Sequence, residues 1–214
     1  MSELRYTLLS DGRSDRALIP ILTWLLKEYR VDRAIQSEWA DLWRLPVKPQ
    51  GLMERIIKSV ELYPCDLLFV HRDAEREPYQ VRVTEIQEAV EGASRAGTVP
   101  PVICVIPIRM QEAWLLFDEA AIRRAAGNPN GRHILHLPEL AQVESIPDPK
   151  NELYRFLQIA SGLRGHRLSR LRVSQLAPQV SAFIEDFTAL RALSAFRFLE
   201  AQVGQIVREQ GWNS

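Results

Sequence analysis

Two unbroken apolar runs constrain the fold of this chain more than any other feature. They are Cys65–His71 (CDLLFVH) and Pro101–Ile108 (PVICVIPI), and a stretch with helical periodicity, Tyr79–Ala96, lies between them. A strand without polar alternation is typical of a sheet that is covered on both faces, and such sheets are mainly parallel. The order strand, helix, strand therefore predicts βαβ units around a parallel sheet.

The same alternation extends back to the N-terminus. Leu4–Ser10 predicts a first strand, and Asp15–Arg30 predicts a helix in which Pro20 fits only the first turn. Ala34–Ser37 predicts a weaker second strand, and Gly51–Leu62 predicts a second helix. We expect the first, third and fourth strands of this series to lie side by side.

After Met110 the pattern becomes helical. Helical periodicity marks four further stretches, between loops that are rich in Gly, Pro and Asn, and no strand pattern returns: 111–117, 119–126, 150–161 and 183–209. We therefore predict an α/β protein with a mainly parallel, Rossmann-like sheet flanked by helices in residues 1–118. Residues 119–214 should form a helical region that packs on this core.

Composition excludes several classes of protein. The chain has 214 residues with 27 Lys and Arg, 27 Asp and Glu, and two cysteines, which is too few for a disulfide framework or a zinc ribbon. Zero net charge excludes attraction of the whole molecule to nucleic acid or to a membrane surface. No apolar run approaches the roughly 20 residues of a membrane span. Charged residues interrupt the N-terminal segment too soon for a signal peptide. We expect a cytoplasmic protein with reduced thiols, in an oligomeric state that the sequence leaves open.

Acidic residues follow three of the proposed strands. Asp11 and then Asp15 follow the first, Asp73 and Glu75 follow the third, and Glu112 follows the fourth. Ligands of open parallel sheets bind outside the carboxyl ends of the strands, so these side chains should converge there. Clustered carboxylates raise one another's pKa unless a cation neutralises them, and Mg²⁺ or Mn²⁺ takes such oxygen ligands. The alternatives are a turn for Asp11, a solvated loop for Asp73 and Glu75, and a helix N-terminus for Glu112.

The order of these motifs resembles a TOPRIM domain. SDGRSD (10–15) resembles the usual E-G-x-x-D/E loop, and DAE (73–75) resembles the D-x-D pair. PIRMQEAWLLFD (107–118) and PDPKNEL (147–153) are similar to small stand-alone TOPRIM-like proteins of a domain-of-unknown-function family related to OLD-family nucleases. The resemblance implies a Mg²⁺-dependent nuclease of bacterial defence against phage or plasmids, often with an ATPase partner.

The resemblance also implies roles for residues. Asp11, Asp73, Glu75 and Glu112 would bind metal, and Lys150 would join Asp11, Asp73 and Glu112 in catalysis by stabilising charge. A lysine of a helix first turn is the alternative for Lys150. TOPRIM domains usually have Glu where this chain has Asp11, and Asp where it has Glu75, so each carboxylate moves by one methylene. The second hypothesis is therefore a catalytically degenerate module that binds a partner protein or nucleic acid.

One dense basic segment carries no acid. RGHRLSRLR (164–172) contains Arg164, Arg167, Arg170 and Arg172, and arginine clusters bind phosphates. A neutral chain that binds a polyanion must segregate its charges, so we predict that this segment binds nucleic acid beside the carboxylates. The alternatives are a solvated surface and an internal partner for the acidic cluster.

Overall fold

A four-stranded parallel sheet forms the centre of the molecule. The computed structural model describes residues 3–213, and its sheet has the order β2-β1-β3-β4 with all neighbouring pairs parallel. The strands are β1 (Glu3–Leu9), β2 (Ala34–Trp39), β3 (Leu67–His71) and β4 (Val102–Val105). The predicted α/β class and the neighbouring positions of β1, β3 and β4 are confirmed.

Alternate residues of each strand enter two separate hydrophobic cores. On β1, Leu4, Tyr6 and Leu8 face one core, whereas Leu9 faces the other. Both faces of the sheet are thus covered, which explains why β3 is apolar throughout and fully buried.

Different parts of the chain cover the two faces. Helices α2 (Gly51–Leu62) and α3 (Tyr79–Ala96) supply the core under Leu9, with bounds that match the predicted helices. Helix α1 (Leu18–Glu28) and the helical region after Met110 supply the other core. Helix α1 begins later than predicted, because Arg13–Ala17 forms a 3₁₀ turn, and Pro20 lies in its first turn, where no amide hydrogen is needed.

The C-terminal region is a series of short helices that share the core of β1. Residues Phe156, Phe196 and Val203 all pack in that core. Its α-helices are α4 (Glu119–Ala125), α5 (Pro149–Ser161), α6 (Gly165–Ser169), α7 (Val173–Leu176) and α8 (Ser194–Glu209). The chain also has 3₁₀ turns at Leu42–Arg44, Gln111–Leu115, Leu140–Ser145, Ala177–Phe183 and Thr188–Ala192.

The predicted single helix over 183–209 is wrong. Helix α8 begins only at Ser194, after a separate turn at Thr188–Ala192. The Asp186 carboxylate accepts a hydrogen bond from the Thr188 amide at 2.8 Å, a local bond that competes with helix formation. The apolar spacing in this segment reflects burial in the shared core, not one continuous helix face.

Helix α8 also covers the outer edge of β4. The side-chain amide of Gln202 accepts a hydrogen bond from the Cys104 amide at 3.1 Å and donates one to the Cys104 carbonyl at 3.4 Å. This contact protects an edge strand that could otherwise pair with another chain. None of the described helices has the length and apolar character that crossing a membrane requires.

Candidate functional site

The strand order creates a crevice at the carboxyl ends of β1 and β3. From β1 the chain crosses through α1 to β2 on one side, and it then crosses through α2 to β3 on the other side. This reversal is the topological switch point, where open parallel sheets bind their ligands. The segments that leave β1 and β3 carry the candidate residues to this crevice.

His71, Asp15 and Asp73 meet at the switch point. The Nε2 atom of His71 lies 3.8 Å from an Asp15 carboxylate oxygen and 3.5 Å from an Asp73 carboxylate oxygen. The Nδ1 atom lies 3.0 Å from the Val105 carbonyl oxygen and donates to it, because a carbonyl can only accept. A ring nitrogen oriented in this way is typical of histidines in metal sites, and it leaves Nε2 facing the acids.

Gln111 joins the two aspartates. Its side-chain amide donates to Asp15 at 3.1 Å, and its backbone amide donates to Asp73 at 3.0 Å. Asp15 also accepts hydrogen bonds from the Gly12 amide at 2.8 Å and the Ser14 hydroxyl at 3.1 Å, so its carboxylate is fixed in orientation. The side-chain oxygen of Gln111 is buried and has no hydrogen-bond partner among the described residues.

Glu112 and Lys150 complete the cluster. Burial raises the pKa of Glu112 to about 7, the Lys150 charge lowers that pKa, and the charges of Asp73 and Asp15 raise it further. Burial likewise raises the pKa of Asp73 to about 6, against the lowering effect of His71. Glu112 follows Gln111 directly in the chain, so its backbone lies beside the residue that bonds both aspartates.

The donor atoms of this cluster are of the kind that a hard divalent cation takes. Two buried carboxylates, Asp15 and Glu112, and the partly exposed Asp73 repel one another, and the orphaned oxygen of Gln111 is a neutral oxygen beside them. The side chain of Asp73 is still 29% exposed, so one acid of the cluster reaches solvent. Within residues 3–213, however, no group of three or more His, Cys, Asp or Glu side chains is placed so that it could hold a metal ion.

Asp11 has a different environment from the one predicted. One carboxylate oxygen pairs with Arg55 at 2.5 Å and the other pairs with Arg72 at 2.6 Å. Its charge does contribute to raising the pKa of Asp73, so it borders the cluster. Both oxygens of Asp11 thus already have cationic partners, whereas Asp15 shares Gln111 with Asp73. Metal binding by Asp11 stays a prediction.

Glu75 is also directed elsewhere. Its backbone has a φ of 54°, and its carboxylate, with a side chain 66% exposed, lies 3.8 Å from Arg82. Of the four metal ligands proposed from the sequence, Asp73 accepts a hydrogen bond from Gln111, the residue before Glu112, whereas Asp11 and Glu75 face arginines. The metal-binding roles of all four stay predictions.

The basic segment lies at the other end of α5 from Lys150. Lys150 is in the first turn of α5, whereas Arg164 follows the last residue, Ser161. Eleven residues of helix separate Lys150 from Ser161 by about 16 Å. The chain turns after Ser161, so the position of Arg164, Arg167, Arg170 and Arg172 beside the carboxylates and their binding of nucleic acid both stay predictions.

Sequence reasoning did not assign His71 or Gln111 to the site, and it gave Asp15 only a secondary place. His71 ends a buried strand and lies two residues before Asp73, a position that places both at the same sheet edge. That spacing was the available signal. No comparable signal marks Gln111, because its role depends on the turn Gln111–Leu115 packing beside two other segments.

Comparisons of the chain with protein-family models, with curated proteins and with solved structures found no match. The resemblance to TOPRIM domains thus depends on the quoted motifs, and the functional argument depends on the geometry of the site.

Proposed function

We propose that this protein is a Mg²⁺- or Mn²⁺-dependent phosphodiester hydrolase that acts on nucleic acid. The observation that carries the proposal is that Asp15 and Asp73 meet around His71 and Gln111 at the switch point, with Glu112 next to Gln111 in the chain; burial raises the pKa of Asp73 and of Glu112. Perturbed acids in a crevice are typical of functional sites. The TOPRIM resemblance supports the same activity and substrate.

Each residue of the cluster has a distinct part in this proposal. Asp15, Asp73 and Glu112 would hold the cation, and Gln111 would keep the two aspartates in register through its two donated hydrogen bonds. When bound, the cation supplies a charge that polarises the phosphate and lowers the pKa of water. Lys150 provides a second positive charge near Glu112, where it would stabilise the negative charge that develops on the phosphate.

Cleavage of a labelled oligonucleotide in Mg²⁺ or Mn²⁺ tests this proposal. Asp73→Asn keeps the hydrogen bond from Gln111 but removes the ligand charge, so we expect a loss of activity of at least 100-fold, in the range for an essential electrostatic group. Glu75→Gln should retain activity, since Glu75 faces Arg82. Glu88→Gln, on the exposed face of α3, is the matched surface control.

Two results would contradict the proposal. One is wild-type cleavage by Asp73→Asn, and the other is the absence of cleavage by the wild type with both cations on single- and double-stranded DNA and RNA. A loss of activity in both Asp73→Asn and Glu75→Gln would return Glu75 to the ligand set, as expected from the sequence.

A non-catalytic binding module is the second candidate. The observations that favour it are the double ion pair of Asp11 and the absence, in residues 3–213, of any group of three or more His, Cys, Asp or Glu side chains that could hold a metal ion. Nucleic-acid binding without cleavage in any cation would support this candidate. A role in phage or plasmid defence and an ATPase partner are proposals that follow from the TOPRIM resemblance alone.

A further inference from the structure

A second cavity lies beside the carboxylate cluster. It has a volume of about 300 Å³ and opens at the carboxyl ends of β1 and β2. Asp11 forms part of its wall and also borders Asp73, so the cavity and the cluster share a boundary. The volume is at the lower end of the range for small-ligand pockets.

The cavity combines an apolar lining with a fixed, exposed aromatic ring. Ala40, Leu42 and Pro49 line it together with Trp43, whose side chain is 51% exposed. The indole Nε1 of Trp43 donates to the Asp11 carbonyl at 3.0 Å, which fixes the ring on the segment that follows β1. An exposed tryptophan held in this way is preorganised for stacking on a planar ligand.

Positive charge surrounds the same opening. The Lys48 ammonium lies 4.5 Å from the centre of the Trp43 ring, and Arg55 lines the cavity while it pairs with Asp11. The only acid in the lining, Asp11, is neutralised by Arg55 and Arg72. The exposed Lys48 side chain lies over one face of the ring, which a stacked base would share or take. An exposed aromatic ring with Lys and Arg beside it is the combination that binds single-stranded nucleic acids, in which bases stack and phosphates pair with the cations.

We propose that this cavity binds one unpaired nucleobase of the substrate, stacked on Trp43, with Lys48 at an adjacent phosphate. The choice of a nucleobase rests on the proposed function, because the cavity borders the cluster assigned to phosphodiester cleavage. The inference narrows the substrate class to single strands, ends or loops, since a base within a duplex cannot enter.

Equilibrium binding in EDTA tests the cavity separately from catalysis. The probes are a fluorescein-labelled oligothymidylate of six nucleotides and an abasic oligomer with the same number of phosphates. We expect the wild type to prefer the base-containing probe by roughly 5- to 150-fold, the range for one stacked base. Trp43→Ala should remove this preference, and Trp43→Phe should keep part of it.

Two control variants complete the experiment. Phe198→Ala removes an equally exposed aromatic ring on α8, near the β4 edge, and should keep the preference. Lys48→Ala should weaken binding of both probes by a similar factor, because it removes a phosphate contact and not the stacking surface.

Equal binding of both probes by the wild type, or a preference that survives in Trp43→Ala, would overturn the inference. Either result together with Asp73-dependent cleavage would leave the hydrolase proposal intact. A Trp43-dependent preference without cleavage would support the cavity and contradict the hydrolase. If neither oligomer binds, the cavity is not a nucleobase site, and a protein partner becomes the occupant to test.

Discussion

At the scale of single residues, the acids of the site destabilise the fold that holds them. The pKa of Glu112 is raised from 4.5 to about 7 by burial. Between these values the folded protein binds more protons than the unfolded chain. The free energy of unfolding therefore falls as the pH rises from about 4.5 through about 7. A positive charge near Glu112, from a bound cation or from Lys150, reduces the stability that is lost when Glu112 ionises. A buried acid that lowers stability in this way is expected at a functional site.

Glu112→Gln should therefore stabilise the protein at alkaline pH. Without divalent cations, we expect the free energy of unfolding to rise by about 3 kcal/mol at pH 8 and by less than about 1 kcal/mol at pH 5, since a shift of one pKa unit corresponds to about 1.4 kcal/mol. Urea unfolding of both proteins at the two pH values measures this difference. A variant that is less stable than the wild type at pH 8 would contradict the assignment of Glu112 as a buried, costly charge.

Substitution by Asn should change the free energy of unfolding in opposite directions at Asp11 and at Asp73. Asp11→Asn removes the counterion of Arg55 and Arg72, so we expect a loss of about 1 kcal/mol for these partly exposed pairs. Asp73→Asn removes a charge whose pKa burial raises to about 6, so the free energy of unfolding should increase at pH 8. Thermal unfolding of the two variants tests the contrast, and a shift of both in the same direction would contradict it.

At the scale of elements, α8 completes the sheet by covering β4. Gln202→Ala removes both hydrogen bonds to Cys104, and we expect a loss of about 1–2 kcal/mol in the free energy of unfolding. The matched control is Gln205→Ala, at an exposed position three residues further along α8. It should change the free energy of unfolding by less than about 0.5 kcal/mol. Equal effects of the two substitutions would show that Gln202 does not protect this edge.

The elements also show what the sequence could and could not predict. Helices α2 and α3 and the buried strands follow from local periodicity, so their positions could be predicted from it. The segment before α8 could not, because Phe187, Leu190 and Leu193 are buried at the three-residue spacing of a helix face but belong to a separate 3₁₀ turn. The site divides in the same way. Asp73 and Glu112 follow from strand ends, whereas the pairing of Asp11 depends on Arg55, which is distant in sequence.

At the scale of the whole molecule, a neutral chain separates its charges. Lys150 lies in the first turn of α5, and the basic segment 164–172 follows the last turn. About 16 Å of helix corresponds to several phosphates of a strand, since phosphates of one strand of a duplex are spaced by about 3.4 Å. The two regions can act on one substrate only if it is long enough to reach both.

The double substitution Arg167→Ala and Arg170→Ala should therefore affect long substrates and leave short ones unaffected. Cleavage of a trinucleotide should be unchanged, whereas affinity for a strand of 15 or more nucleotides should fall. The slope of log affinity against log salt should decrease by about 0.7 for each lost phosphate contact to a single strand. Fluorescence anisotropy at several salt concentrations measures the slope, and an unchanged slope would assign the segment to a solvated surface.

The central claim is that Asp15, Asp73 and Glu112 together hold a divalent cation at the switch point. Calorimetric titration of Mn²⁺ into the wild type and into Asp73→Asn tests it most directly, without dependence on the substrate. The account predicts one binding site in the wild type and its loss in Asp73→Asn. A wild type that binds no Mn²⁺ at millimolar concentration, or an Asp73→Asn protein that binds it with wild-type affinity, would contradict the claim.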